Sequence, residues 1–145
     1  MRIVRSIVRL RSEERGAALV EFALVVPFLM IMMCAIIDFG LMLHRINNLN
    51  SAVREGARFG AVRQKLTPAM DSVKTRVQSY WQTVGTDSLP KALITVAETT
   101  DVSGLRSVLV RVTNYPYKPM TPLAPLLGLG TVNFTRTAIY RQEFQ

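Results

Sequence analysis

From Ala17 to Leu43 the chain is almost unbroken hydrocarbon, with Glu21 and Asp38 its only acidic residues. About 20 such residues cross a bilayer as a helix at 1.5 Å per residue, so this run is long enough to span one. Helical signals continue to about Leu66. Ile46, Leu49, Val53, Gly56 and Gly60 recur at three/four spacing and share one face, made shallow by the two glycines and Ala52. Ordinary packing of that face on a sheet is the expectation. Pro27 removes a backbone donor inside the apolar run and is expected to kink it.

Thr67-Pro68 reads as the start of a second helix, a hydroxyl cap followed by proline in the first turn, with Asp71 near the positive dipole end. That helix is expected from Pro68 to Val84 with Met70, Val73 and Val77 buried, Trp81 continuing the same face and Gly85 ending it. The period then changes to two. Ala92–Thr99 and Leu105–Tyr115 read as strands joined by a turn at Asp101-Val102-Ser103-Gly104, with Val108, Val110 and Val112 on one face. Thr131–Phe144 reads as a third strand. Pro116, Pro119, Pro122 and Pro125 exclude a regular strand between the last two, and Leu123–Leu127 is compatible with a short helical turn. The fold class is α+β, with three segments: a leader over residues 1–16, a transmembrane helix over 17–43 and an extracytoplasmic domain over 44–145.

Charge changes the picture at one end only. The net charge of +8 invites a nucleic-acid reading, but Arg2, Arg5, Arg9, Arg11 and Arg15 crowd the first fifteen positions against Glu13 and Glu14. Arginines flanking a membrane helix hold that side in the cytoplasm. No basic stripe interleaved with aromatics follows, so nucleic acid is not an expected partner. A cleaved secretory signal needs an apolar core of about 7–15 residues; this one is too long, and His44-Arg45-Ile46-Asn47-Asn48 continues as helix. A lipoprotein site is excluded because Cys34 follows Met32-Met33 deep inside the run.

Candidate chemistry is sparse. Cys34 is the single cysteine, which rules out an internal disulfide and reads as a buried, inert thiol. His44 is the single histidine and reads as interfacial, with no second His or Cys at metal-site spacing. No Ser/His/Asp set, Gly-rich phosphate loop or paired-carboxylate cluster appears, so no enzyme, cofactor or metal is expected. Glu21 stands out, because a carboxylate in an apolar span reads as functional.

Three stretches carry a family resemblance: Arg15-Gly16-Ala17-Ala18-Leu19-Val20-Glu21-Phe22 with the apolar residues up to Leu29, then Ile36-Ile37-Asp38-Phe39-Gly40, then Ala52-Val53-Arg54-Glu55-Gly56-Ala57-Arg58. The first is similar to type IV prepilins, where a glycine precedes the apolar block and a glutamate stands five residues later. All three in order resemble the TadE-like family, pseudopilin-like proteins of tight-adherence (Flp-type) pilus systems. The resemblance implies cleavage between Gly16 and Ala17 by a prepilin peptidase. It also implies that Glu21 pairs with the new amino terminus of Ala17 on a neighbouring subunit, with Phe22 as the aromatic after the glutamate. The partners it implies are that peptidase, other Tad/Flp pilins and pseudopilins, the inner-membrane assembly platform and membrane lipid. The implied location is the bacterial inner membrane, N-terminus cytoplasmic. Two alternatives stay open: a bitopic membrane protein with a small interaction domain unrelated to pili, and Glu21 as an unpartnered interfacial carboxylate.

Overall fold

One helix, α1, runs from Arg2 to Ala61, sixty residues without interruption, and Pro27 lies inside it. The computed structural model describes residues 2–63, 66, 69–85, 87–100, 102, 104–121, 128 and 130–142, with side chains from Gly16 onward. The helix begins well before the expected Ala17. No proline or glycine interrupts residues 2–15, and the Arg and Leu among them are strong helix formers, so nothing in that stretch of sequence stops the helix.

Helix α2 spans Met70–Val84, after which a single 3-10 turn at Lys91–Leu93 leads into the sheet. Thr67 and Pro68, the expected start, lie outside the described residues, and Ala69 stands at the cap position without a side-chain cap. Strands β1 (Ile94–Thr100), β2 (Arg106–Tyr117) and β3 (Val132–Arg141) form an antiparallel sheet in the order β1-β2-β3. Asp101 and Ser103 of the expected turn, and the segment Leu123–Leu127, also lie outside the described residues.

Strand β2 departs from expectation in an instructive way. It continues through Pro116, which pairs with Asn133, to Tyr117, two residues past the predicted end. Proline is tolerated there because pairing with β1 stops at Ile94↔Val112, so beyond Val112 β2 has β3 alone as its neighbour. The register shifts between Val112 and Tyr115, where Asn114 takes a φ of 53°. This bulge reverses the alternation. Val108, Val110 and Val112 face inward before it, and Tyr115 and Tyr117 after it.

The core lies between that sheet face and the two helices. Leu49, Ala52, Val53 and Ala57 of α1, Val73, Val77 and Trp81 of α2, and Val108, Val110 and Val112 of β2 are all fully buried. Met70 packs half-buried against them. The glycine face of α1 does not simply lie on a sheet. A Cβ at Gly56 stands 2.2 Å from Cγ2 of Val77 on α2, while one at Gly60 meets both Val108 of β2 and Val73 of α2. Gly85 follows the last residue of α2 as expected, but in extended rather than left-handed backbone (φ −98°), and its missing side chain makes room for the Trp81 indole, which a Cβ there would meet at 2.8 Å.

Gly56→Ala is therefore expected to destabilise the domain, although alanine is the better helix former by about 1 kcal/mol. Val77 is fully buried and β-branched, so its methyl has little room to rotate away, and overpacking of this kind costs about 1–3 kcal/mol. Thermal unfolding by circular dichroism in detergent micelles checks this. The Gly56→Ala/Val77→Ala pair should be less destabilised than the sum of the two single changes.

Candidate functional site

The candidate site is the surface of α1 before the domain closes on it. From Gly16 to Ile37 nearly every residue is exposed, including Ala17, Glu21, Phe22, Leu24, Phe28 and Ile36. Apolar residues in that number on a water-facing surface would carry a heavy penalty, so this face needs a nonaqueous partner. The helix from Gly16 onward is long and apolar enough to cross a membrane. Over Gly16–Ile37 the rise is about 33 Å, matching a hydrocarbon core of about 30 Å.

Gly16, Ala17, Glu21 and Phe22 fall within little more than one and a half turns of that exposed helix. No described residue lies within 4 Å of a Cβ built at Gly16, so none of them imposes a steric need for glycine there. Glu21 makes no hydrogen bond or ion pair among the described residues. The structure brings these four residues into one stretch without giving Glu21 a partner among the described residues.

At Asp38 the environment changes. Its carboxylate accepts hydrogen bonds from the backbone N–H of Met120 at 3.0 Å and of Thr121 at 3.1 Å, and from the Thr121 hydroxyl. Its carbonyl accepts the Tyr117 hydroxyl at 3.2 Å. Four bonds thus fasten the end of β2 and the segment after it to α1, one from Tyr117 and three from Met120 and Thr121. Sequence shows an acid in an apolar run; its partners stand some eighty residues away and carry no motif.

Two charged clusters above Asp38 fasten α1 to the rest of the domain. Asp87 accepts from Arg45 at 2.6 Å and from the Tyr115 hydroxyl at 2.5 Å, while its carbonyl accepts the Trp81 indole N–H at 2.9 Å. Burial, with the Asp87 hydrogen bond added, pushes the Tyr115 hydroxyl well above its ordinary pKa, so it stays a donor. Glu55 accepts from Arg76 of α2 at 2.7 Å and pairs with Arg58 one turn on at 3.3 Å. The Arg76 hydrogen bond holds the Glu55 carboxyl below its ordinary pKa. The Arg54-Glu55-Gly56-Ala57-Arg58 segment is thus where α1 docks on α2: Glu55 supplies the ion pairs, Gly56 the close approach and Ala57 the buried contact.

His44 is exposed and bonded through Nε2 to the Asn48 amide at 3.0 Å, and Asn48 in turn donates to the Val84 carbonyl at 3.0 Å. Cys34 is a half-buried free thiol on the apolar stretch of α1.

A family model described as TadE-like protein matches residues 16–58 of this chain. The matched stretch begins at Gly16 and ends at Arg58, and it takes in the exposed apolar helix, Glu21, Asp38 and the docking segment. The likeness to the TadE-like family therefore rests on α1. No curated protein and no solved structure matches the chain.

Proposed function

We propose that this chain is a pseudopilin or minor pilin of a tight-adherence (Flp-type) pilus system, acting in assembly or anchoring of the pilus. It sits in the bacterial inner membrane by the apolar stretch of α1 that begins at Ala17, with residues 1–16 as a cytoplasmic leader and the α+β domain outside. The five leader arginines set that orientation. A prepilin peptidase removes the leader between Gly16 and Ala17. The mature helix then associates with other pilins and the inner-membrane assembly platform, Glu21 facing the amino terminus of a neighbouring subunit.

The observation that carries this reading is a glycine without a folding role at the head of the TadE-like match. Gly16 lies in a helix, where it costs about 1 kcal/mol relative to alanine, and its surroundings leave ample room for a side chain. A peptidase that must approach the backbone closely supplies the missing reason. N-terminal sequencing or intact mass of the membrane-extracted protein is expected to give a chain beginning at Ala17. Gly16→Leu should leave the full-length precursor in the membrane, inserted and folded. A wild-type protein that still begins at Met1 in cells with an active prepilin peptidase would return the chain to a plain signal anchor.

A further inference from the structure

We propose that Phe39, Leu43, Met120 and Val132 form an apolar rim that sits in the phospholipid interface where α1 leaves the membrane, so that the domain lies on the bilayer. This inference rests on the reading of Gly16–Ile37 as the membrane span and adds a lipid-contacting surface contributed by the domain itself.

Depth comes first. Asp38 is about 33 Å along the helix from Gly16, at the far edge of a hydrocarbon layer about 30 Å thick. The bonds from Met120, Thr121 and Tyr117 to Asp38 hold the segment after β2 at that same level. A carboxylate at this depth is tolerated because three donors meet it, and those donors belong to the domain.

The second observation is what this level exposes. Met120, adjacent to the clamp, is 75 % exposed, and Phe39 and Leu43 on α1 are 58 % and 43 % exposed. Val132 joins them because it pairs with Tyr117, the residue whose hydroxyl reaches Asp38, and it too is exposed. Phe39 and Leu43 carry the exposed apolar surface of α1 about 7.5 Å beyond Asp38, and Met120 and Val132 add exposed apolar side chains in and beside the segment tied to Asp38. Beside them Lys118 is exposed, with a long apolar stem and a cationic head suited to a lipid phosphate. An interfacial surface of this kind enters about 5–10 Å into the headgroup and acyl boundary. Phospholipid is the occupant because the rim is continuous with a surface that already faces it.

The test uses the full-length chain with Cys34→Ala, carrying one bimane-labelled cysteine in place of Met120, Ile36 or Val102, in vesicles of phosphatidylcholine and phosphatidylglycerol. Ile36 reports the span. Val102, at the turn between β1 and β2 and fully exposed, reports water. At Met120 we expect quenching by lipids brominated near the headgroup and iodide quenching about fivefold weaker than at Val102. Iodide quenching at Met120 equal to that at Val102, with Ile36 still quenched by bromolipid, overturns the rim and leaves the span intact. An Ile36 label open to iodide overturns the span reading and the rim with it. Shielding of Met120 from iodide without bromolipid quenching overturns the lipid assignment in favour of a protein contact, such as a second copy. A photoactivatable benzophenone residue at position 120 in the chain that keeps Cys34 gives an independent readout: a phospholipid adduct supports the rim, and an adduct to protein alone overturns it.

Discussion

Trp81→Ala is expected to cost the domain about 3–5 kcal/mol, the range for truncating a fully buried large aromatic. Trp81 is 0 % exposed, its ring meets Tyr115 edge-on at 5.2 Å, and its indole N–H holds the Asp87 carbonyl. Truncation leaves a cavity between α2 and the sheet, and it frees the loop whose Asp87 carboxylate anchors Arg45 of α1 and the Tyr115 hydroxyl. The expected readout is a thermal transition lowered by more than about 10 °C, followed by circular dichroism of the full chain in micelles. Trp81→Phe keeps an aromatic ring but loses the donor, so its cost is expected to be smaller, about 1–3 kcal/mol. Insertion of α1 should be unaffected, since Gly16–Ile37 stays almost wholly exposed and is no part of the core that Trp81 fills. The Ala variant should therefore be membrane-bound yet protease-sensitive beyond α1. A transition within about 2 °C of the wild type would mean that this joint does not hold the domain together.

Elements whose identity rests on periodicity are legible in the sequence. The apolar run, the Val73/Val77/Trp81 face of α2 and the Val108/Val110/Val112 face of β2 each repeat at the spacing that their secondary structure demands, and each is buried or exposed accordingly. What escaped depends on pairings made across the chain. Pro116 argues against a strand only where both neighbours are present, and the late start of β1 at Ile94, which leaves one side of β2 open beyond Val112, is a property of the sheet. The bulge at Asn114 was invisible for a similar reason: one asparagine in αL conformation is not distinctive in sequence, yet it turns Tyr115 and Tyr117 inward. Asp38 was visible as an anomaly in an apolar run, but its role comes from Met120 and Thr121, which only the fold brings near. The docking segment shows the opposite case. It was legible as a family block, and the coordinates supply its physical content as an ion pair with α2 and a glycine under Val77.

Glu21→Ala is expected to abolish or sharply reduce piliation while leaving insertion and leader removal intact. The substitution makes the span more apolar, so insertion should not suffer. The cleavage junction at Gly16–Ala17 lies more than one helical turn away and is chemically unchanged. The fold should not suffer either, because Glu21 is exposed and bonds to no described residue of its own chain. Assembly is where a loss is expected. On the proposed processing Ala17 gains a free ammonium group and a neighbouring subunit's Glu21 is its counter-charge in low dielectric; removing one member of a buried pair costs about 3–5 kcal/mol. Repeated along a fibre or at a nucleating complex, a loss of that size stops growth at ordinary protein concentrations. Glu21→Gln separates charge from hydrogen bonding: it keeps an acceptor oxygen but no charge, and it should fall close to the Ala variant if the ion pair is what matters. The measurement is pilus abundance at the cell surface, or co-purification with the other pilus components, using variants matched to wild type in abundance and shown to begin at Ala17. Wild-type assembly by a correctly cleaved Ala variant would reduce Glu21 to an interfacial carboxylate and remove the pairing from the mechanism, while the processing site would stand on its own evidence.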